Sequence, residues 1–94
     1  MDYIEKYDLP ARFDARQSFY GKAVVHHREN GDIELQSYST IVACIKGYPS
    51  TIATAEVYGW YSSTTGRHIK EFLKQHGFKA KDKAQILNDY YKEN

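Results

Sequence analysis

A single cysteine, a single tryptophan and two prolines occur among the 94 residues. Cys44 has no second thiol to pair with, so no internal disulfide can form and the folded monomer suits a reducing cytosol. No run of 18 apolar residues occurs, which excludes a membrane-spanning helix and sets aside a membrane partner. The opening residues Met1-Asp2-Tyr3-Ile4-Glu5-Lys6 have neither the basic nor the apolar part of a secretory leader, so a cytoplasmic location is expected. A glycine-rich phosphate loop is missing, which excludes the common nucleotide hydrolases. Charge of one sign is also missing: the formal net charge is +1, too little for a global pull towards nucleic acid or a membrane surface.

The residues that are present describe one small globular domain over 1–94, with 41% hydrophobic and 27% charged residues. Charge is unevenly spread. Residues 1–34 carry five basic against seven acidic side chains, and residues 35–63 are neutral, with only Lys46 and Glu56. Residues 64–94 carry seven basic against four acidic side chains. A neutral middle between charged flanks implies a buried sheet with charged elements around it.

Residues 1–14 mix Tyr3, Ile4, Tyr7, Leu9 and Phe13 with charges, and Pro10 prevents one continuous helix, so they read as an extended arm. Asp14 to Tyr20 reads as a short helix stopped at Gly21. Alternation at 22–28, the Asn30-Gly31 pair and renewed alternation at 32–38 predict a hairpin, with positive φ at both turn residues. The β-branched run at 40–46 reads as a strand covered on both faces, and 51–58 as another strand. Ile69, Phe72, Leu73 and His76 mark one face of a helix over 63–76, with Arg67, Lys70, Glu71 and Lys74 facing outward. Gly77 fits its left-handed end. Asp82 and Gln85 start a second helix over 83–91, with Ala84, Leu87 and Tyr91 as its apolar stripe. The expected fold is therefore α+β: an antiparallel sheet of three to four strands (22–28, 32–38, 40–46, 51–58) packed by helices at 63–76 and 83–91. The arm 1–14, a core 15–77 and the C-terminal segment 78–94 divide this domain.

Ser37-Tyr38-Ser39-Thr40-Ile41-Val42-Ala43 fits the pattern SYxTxVA, and Tyr61 to Gly77 fits YSxTTxRHIxEFLxQxG. Ser18-Phe19-Tyr20-Gly21-Lys22-Ala23 fits the lead-in SFYxKA. With these motifs, over roughly residues 18–77, the chain resembles a family of small uncharacterised proteins of phages, prophages and plasmids of Gram-positive bacteria. The resemblance implies an accessory protein of a mobile element in a bacterial cytoplasm. It brings no activity and no catalytic residues, and it does not extend to 1–14 or 79–94.

Local chemistry concentrates at the start of the main helix, where Ser62, Ser63, Thr64, Thr65, Arg67 and His68 fall together. Free backbone N–H groups and the helix dipole favour an anion there, although helix capping explains the same hydroxyls. The basic stripe Lys70, Lys74, Lys79, Lys81 and Lys83 is a second anion-binding candidate, or simply a solvated face. The histidines do not form a metal site. His26 and His27 alternate across a strand, and His68 and His76 stand ~12 Å apart along a helix. Cys44, in the most buried strand, is a poor nucleophile for His68 to activate. No cofactor is expected and an enzyme is not. Nine tyrosines supply the remaining signal. Tyr38, Tyr48, Tyr58, Trp60 and Tyr61 are candidate anchors for a protein partner, with Tyr38 on the polar strand face beside Glu34 and Gln36.

Three function classes follow. The first is a non-enzymatic binder that modulates a host protein complex, such as an inhibitor of bacterial defence of the anti-CRISPR kind. The second is a nucleic-acid-binding accessory protein that uses the basic region 64–83. The third is a sponge for a small anionic or nucleotide ligand at 62–68. An exposed edge strand also makes a homodimer conceivable.

Overall fold

The alternation of apolar and polar residues resolves into a meander. The computed structural model describes residues 3–14, 19 and 21–93. Strands β1 (Tyr3–Asp8), β2 (Ala23–Arg28), β3 (Ile33–Ser37), β4 (Thr40–Lys46) and β5 (Thr54–Val57) form one antiparallel sheet in chain order. Helices α1 (Ser63–Gln75) and α2 (Lys83–Tyr90) follow. The α+β class and antiparallel pairing agree with the sequence reading, but the sheet has five strands rather than three or four. The added strand is β1, where an extended arm was expected. Its pairing with β2 is long-range, so its own mixed sequence carries no clear strand period. The expected helix at 14–20 lies largely outside the described residues.

Register assigns the two faces. Tyr7, Val25, Leu35, Ala43 and Val57 stand opposite one another across all five strands. Four of these, all but Tyr7, join Phe72, Leu73, Ile69 and Ile86 in the buried core. One residue along, His26, Glu34, Cys44 and Glu56 line the opposite face. That face is closed by its own side chains: His26 pairs with Gln36 at 2.9 Å and Arg28 with Glu34 at 2.9 Å. The expectation that 40–46 is covered on both faces finds its explanation here. Ala43 and Ile45 lie in the buried core, Val42 joins them where the register shifts between Leu35 and Gln36, and Cys44 is buried on the other face.

The turns follow local chemistry, with two differences. Between β2 and β3 only Gly31 has positive φ, at 96°. Gly31 N–H donates to the Arg28 carbonyl at 3.1 Å, and Asn30 Oδ1 accepts from Asp32 N–H at 2.9 Å. This is a type I turn closed by a glycine, not the two-residue turn expected. The two-residue turn lies instead between β3 and β4, and its first residue, Tyr38, has φ 57°. Gly77, at φ 82°, ends α1 as expected, with Phe78 N–H on the Leu73 carbonyl at 2.9 Å. Gly66 is required for a different reason: a Cβ there would collide with the Trp60 indole. In α2 the buried side is Ile86 with half-buried Leu87 and Tyr90, while Ala84 and Tyr91 are exposed. The stripe is rotated because Tyr91 leaves the helix to bridge β5 beside Val57.

Glu71 departs furthest from expectation. The helical period points it outward, yet it is only 1% exposed. Its Oε1 accepts from the backbone N–H groups of Phe13 at 2.8 Å and Asp14 at 3.0 Å. Its Oε2 accepts from Gln75 Nε2 at 2.6 Å, and the same amide donates to the Pro10 carbonyl at 2.6 Å. Residues 10–14 are thus strapped along α1, and they bury the carboxylate they bind. Glu71→Ala is expected to lower unfolding free energy by about 3 kcal/mol, because it leaves two strap amides and the Gln75 amide without their acceptor. Glu71→Gln should cost roughly half as much, since one oxygen remains while the new NH2 faces the Gln75 donor. Denaturant midpoints measure both. A loss below about 1 kcal/mol for Glu71→Ala would show that water replaces the carboxylate.

Candidate functional site

The start of α1 forms a capped, inward-looking network. Ser62 Oγ accepts from Thr65 N–H at 3.1 Å, which is the ordinary N-cap bond. The Ser62 and Thr65 hydroxyls lie 3.3 Å apart, those of Thr65 and Ser37 3.2 Å, and Ser37 Oγ lies 2.8 Å from His68 Nδ1. His68 is fully buried, edge-on to Phe19 with ring centroids 4.9 Å apart. A serine hydroxyl on an imidazole resembles the first half of a nucleophile, but Ser37 is only 3% exposed, so its contacts are those of a packed core. Of the residues expected to meet an anion here, Thr65 and His68 point into the protein, while Ser62, Ser63, half-buried Thr64 and Arg67 remain at the surface. Arg67 lies 3.5 Å from the Asp14 carboxylate. Lys70 is half-buried on α1, Lys74 is exposed towards the helix end, and Lys81 precedes α2. Lys83 is drawn over the Trp60 ring, 5.9 Å from its centroid.

The candidate anchors are divided. Tyr38 is 51% exposed, and its left-handed backbone breaks strand alternation. The ring therefore swings to within 5.9 Å of His68, away from the face of Glu34 and Gln36 where strand parity had put it. Tyr61 is exposed close by in sequence to the helix cap, with its ring folded over Gly59. Trp60 is half-buried on Gly66. Tyr58 is half-buried on the outer sheet face, and Tyr48 is exposed in the β4–β5 loop at the far end of the molecule.

That far end holds a groove of about 410 Å³, which the sequence did not signal because segments far apart in the chain build it. β1 and β2 supply Tyr7 and His27, the strap supplies Arg12, the β4–β5 loop Tyr48, and the end of α1 Gln75 and His76. Tyr7 Oη and His27 Nε2 are 3.1 Å apart. The Tyr48 ring stands edge-on to His76 at 4.9 Å. Since Phe72 O can only accept, His76 Nδ1 donates to it at 2.8 Å. Burial pushes the His76 pKa below the ordinary imidazole value; nearby His27 adds to this, and the Phe72 bond opposes it. At neutral pH His76 is therefore uncharged, with Nε2 an acceptor.

A third cluster lies on the outer sheet face. Tyr58 Oη donates to Glu56 Oε1 at 2.8 Å, and Lys92 Nζ donates to Glu56 Oε2 at 3.1 Å. Burial works to raise the Glu56 pKa, but these bonds and the Lys46 charge outweigh it and hold the carboxyl below its ordinary range. Tyr58 is pushed far up, first by burial and then by its bond to Glu56. Burial, reinforced by Asp32 and Glu34, pushes the Cys44 thiol up to about 11. Among the described residues no group of three or more His, Cys, Asp or Glu could hold a metal ion. The Cys44 environment predicts an inert thiol. At pH 8 its thiolate fraction should be roughly a thousandth, and only 2% of the residue is exposed. An aromatic disulfide reagent should label it slowly in the native protein and at once in concentrated guanidinium. Rapid native labelling would show that the cover over Cys44 opens readily.

No curated protein and no solved structure matches the chain. A model of a family of unknown function, DUF8033, matches residues 7–88, beyond both ends of the motif-bearing stretch, and the chain belongs to that family.

Proposed function

We propose that this protein is a non-enzymatic binder that modulates a partner protein through the end of the molecule marked by Tyr38. A bacterial host complex is the partner we favour. An inhibitor of host defence carried by a phage or other mobile element, acting in the bacterial cytoplasm, is the form that the motif resemblance suggests. The observation that carries the reading is the backbone of Tyr38. Positive φ at the first residue of a two-residue turn alone is the type II′ pattern, in which glycine is usual. Here an exposed tyrosine occupies it at φ 57°. A bulky side chain in this region costs on the order of 1 kcal/mol, so the turn gains nothing from it. Tyrosine is stiff and amphipathic, which makes it a good anchor in a protein interface.

The partner is a different protein rather than a second copy. Antiparallel strands put residues of one sheet face opposite each other, so two β1 strands paired about their middle would set Glu5 on Glu5 or Lys6 on Lys6. The opposite edge is already bridged by Tyr91 to Val57. The exposed tyrosine also distinguishes this reading from nucleic-acid capture by Lys70, Lys74 and Lys81, which would depend on salt.

Tyr38→Asn is the decisive variant, because asparagine tolerates left-handed backbone. It is expected to leave stability unchanged or raise it by up to about 1 kcal/mol. It should abolish stoichiometric retention of a partner from a Gram-positive lysate at physiological salt. A fall in stability of more than about 1 kcal/mol would make the ring a structural cover for His68. Undiminished capture by the variant would remove Tyr38 from the interface. Retained nucleic acid that washes off with salt would favour the basic region instead.

A further inference from the structure

The groove lies at the other end of α1 from Tyr38, and the reading above uses none of it. We propose that it is a nucleotide site, taking one planar base among its aromatic walls and the attached phosphate on Arg12.

Its size suits one nucleotide. About 410 Å³ falls at the lower end of the roughly 300–1,000 Å³ usual for small-ligand sites. Its walls are rings arranged in two pairs, Tyr7 with His27 at 5.6 Å between centroids and Tyr48 with His76 at 4.9 Å. Stacking on such rings needs no particular base, because every base presents a flat π-face. The cation is Arg12. It is exposed, lines the groove and makes no ion pair among the described residues. A guanidinium suits the planar, two-pronged recognition of phosphate. The strap that carries it is held at Pro10 by Gln75 and at Phe13 and Asp14 by Glu71, so Arg12 is tethered on both sides.

The remaining polar groups narrow the ligand. Gln75 spends its amide nitrogen on Pro10 and Glu71, which leaves Oε1 as an acceptor. His76 spends Nδ1 on Phe72, which leaves Nε2 as an acceptor. Two open acceptors favour a base with an exocyclic amino group, as in adenine, cytosine or guanine, over uracil. Asp8 also borders the groove, with Oδ1 accepting from Gly21 N–H at 3.4 Å. Its charge opposes that of Arg12, so a bare anion gains little and the ring must contribute.

The test is a thermal-shift and calorimetric titration of the full chain with AMP, CMP, GMP, UMP and inorganic phosphate. At ten times Kd, AMP, CMP and GMP should each raise Tm by about 7 °C. UMP should bind several-fold more weakly, and phosphate should give no shift. Arg12→Ala and Tyr48→Ala, each checked for its own unfolding transition, should weaken AMP at least tenfold. Lys92→Ala, which alters only the Glu56 cluster on the outer sheet face, should leave it unchanged. A short single-stranded RNA that binds more tightly than the mononucleotide would place the nucleotide in a strand, and equal affinity would make it a free metabolite. No shift at 10 mM AMP would overturn the proposal, as would phosphate matching AMP or full AMP binding by Arg12→Ala. None of these outcomes bears on partner capture through Tyr38, so the two readings fail separately.

Discussion

The carboxylate of Glu71 is the constraint on which the rest of the structure depends. A buried charge without hydrogen bonds would cost several kcal/mol. Here both oxygens are occupied, by two backbone amides and one side-chain amide from the same protein. Those bonds fix residues 10–14 against α1, and the fixed strap carries the chain from β1 to the far side of the helix. Leu9, just before it, is buried in the core, and its N–H donates to the Ala23 carbonyl at 2.9 Å. Glu71 thus ties the first strand to the last layer of the fold. It converts the end of α1 from an exposed helix terminus into one wall of a groove.

Because the helices use one sheet face and side-chain pairs satisfy the other, the sheet offers few free groups. His26 with Gln36, Arg28 with Glu34, and Glu56 with Tyr58 and Lys92 are local pairs on a solvated antiparallel face. Such hydrogen bonds and partly exposed ion pairs contribute modestly each, but they leave little for a ligand to take. The chemistry available to other molecules is therefore pushed to the two ends, where turns and loops carry the side chains that the sheet does not organise.

The sequence was most legible where a single element sets its own pattern. The period of Ile69, Phe72 and Leu73 reveals α1, Ser62 and Asp82 act as caps, and Gly77 closes the helix, all within one or two turns of chain. It was least legible where a distant segment decides. Glu71 has the composition of an outward residue, and only the strap, 57 residues earlier in the chain, makes it an inward one. β1 reads as an arm because its strand character comes from pairing with β2. The groove is similarly hidden, since Tyr7, Arg12, Tyr48 and His76 share no spacing that a motif could capture. At the start of α1 the sequence groups Ser62 to His68, but it does not say that Thr65 and His68 face Ser37 in the core while the others stay at the surface.

Departures from local rules can be sorted by whether the interior explains them. Buried Glu71 is explained by the strap, and buried His68 by Ser37 and Phe19. Gly66 inside a helix is explained by the Trp60 ring lying against it. Tyr38 is different. Its backbone groups are engaged, with its N–H on the Lys22 carbonyl at 2.7 Å and its own carbonyl accepting from Gln36 at 2.7 Å. A glycine or asparagine would make the same two bonds. The aromatic ring adds only a tilted contact with His68 while half of the residue stays in water. A fold under no other demand would relax that position, which is the reason the proposed partner surface is centred there.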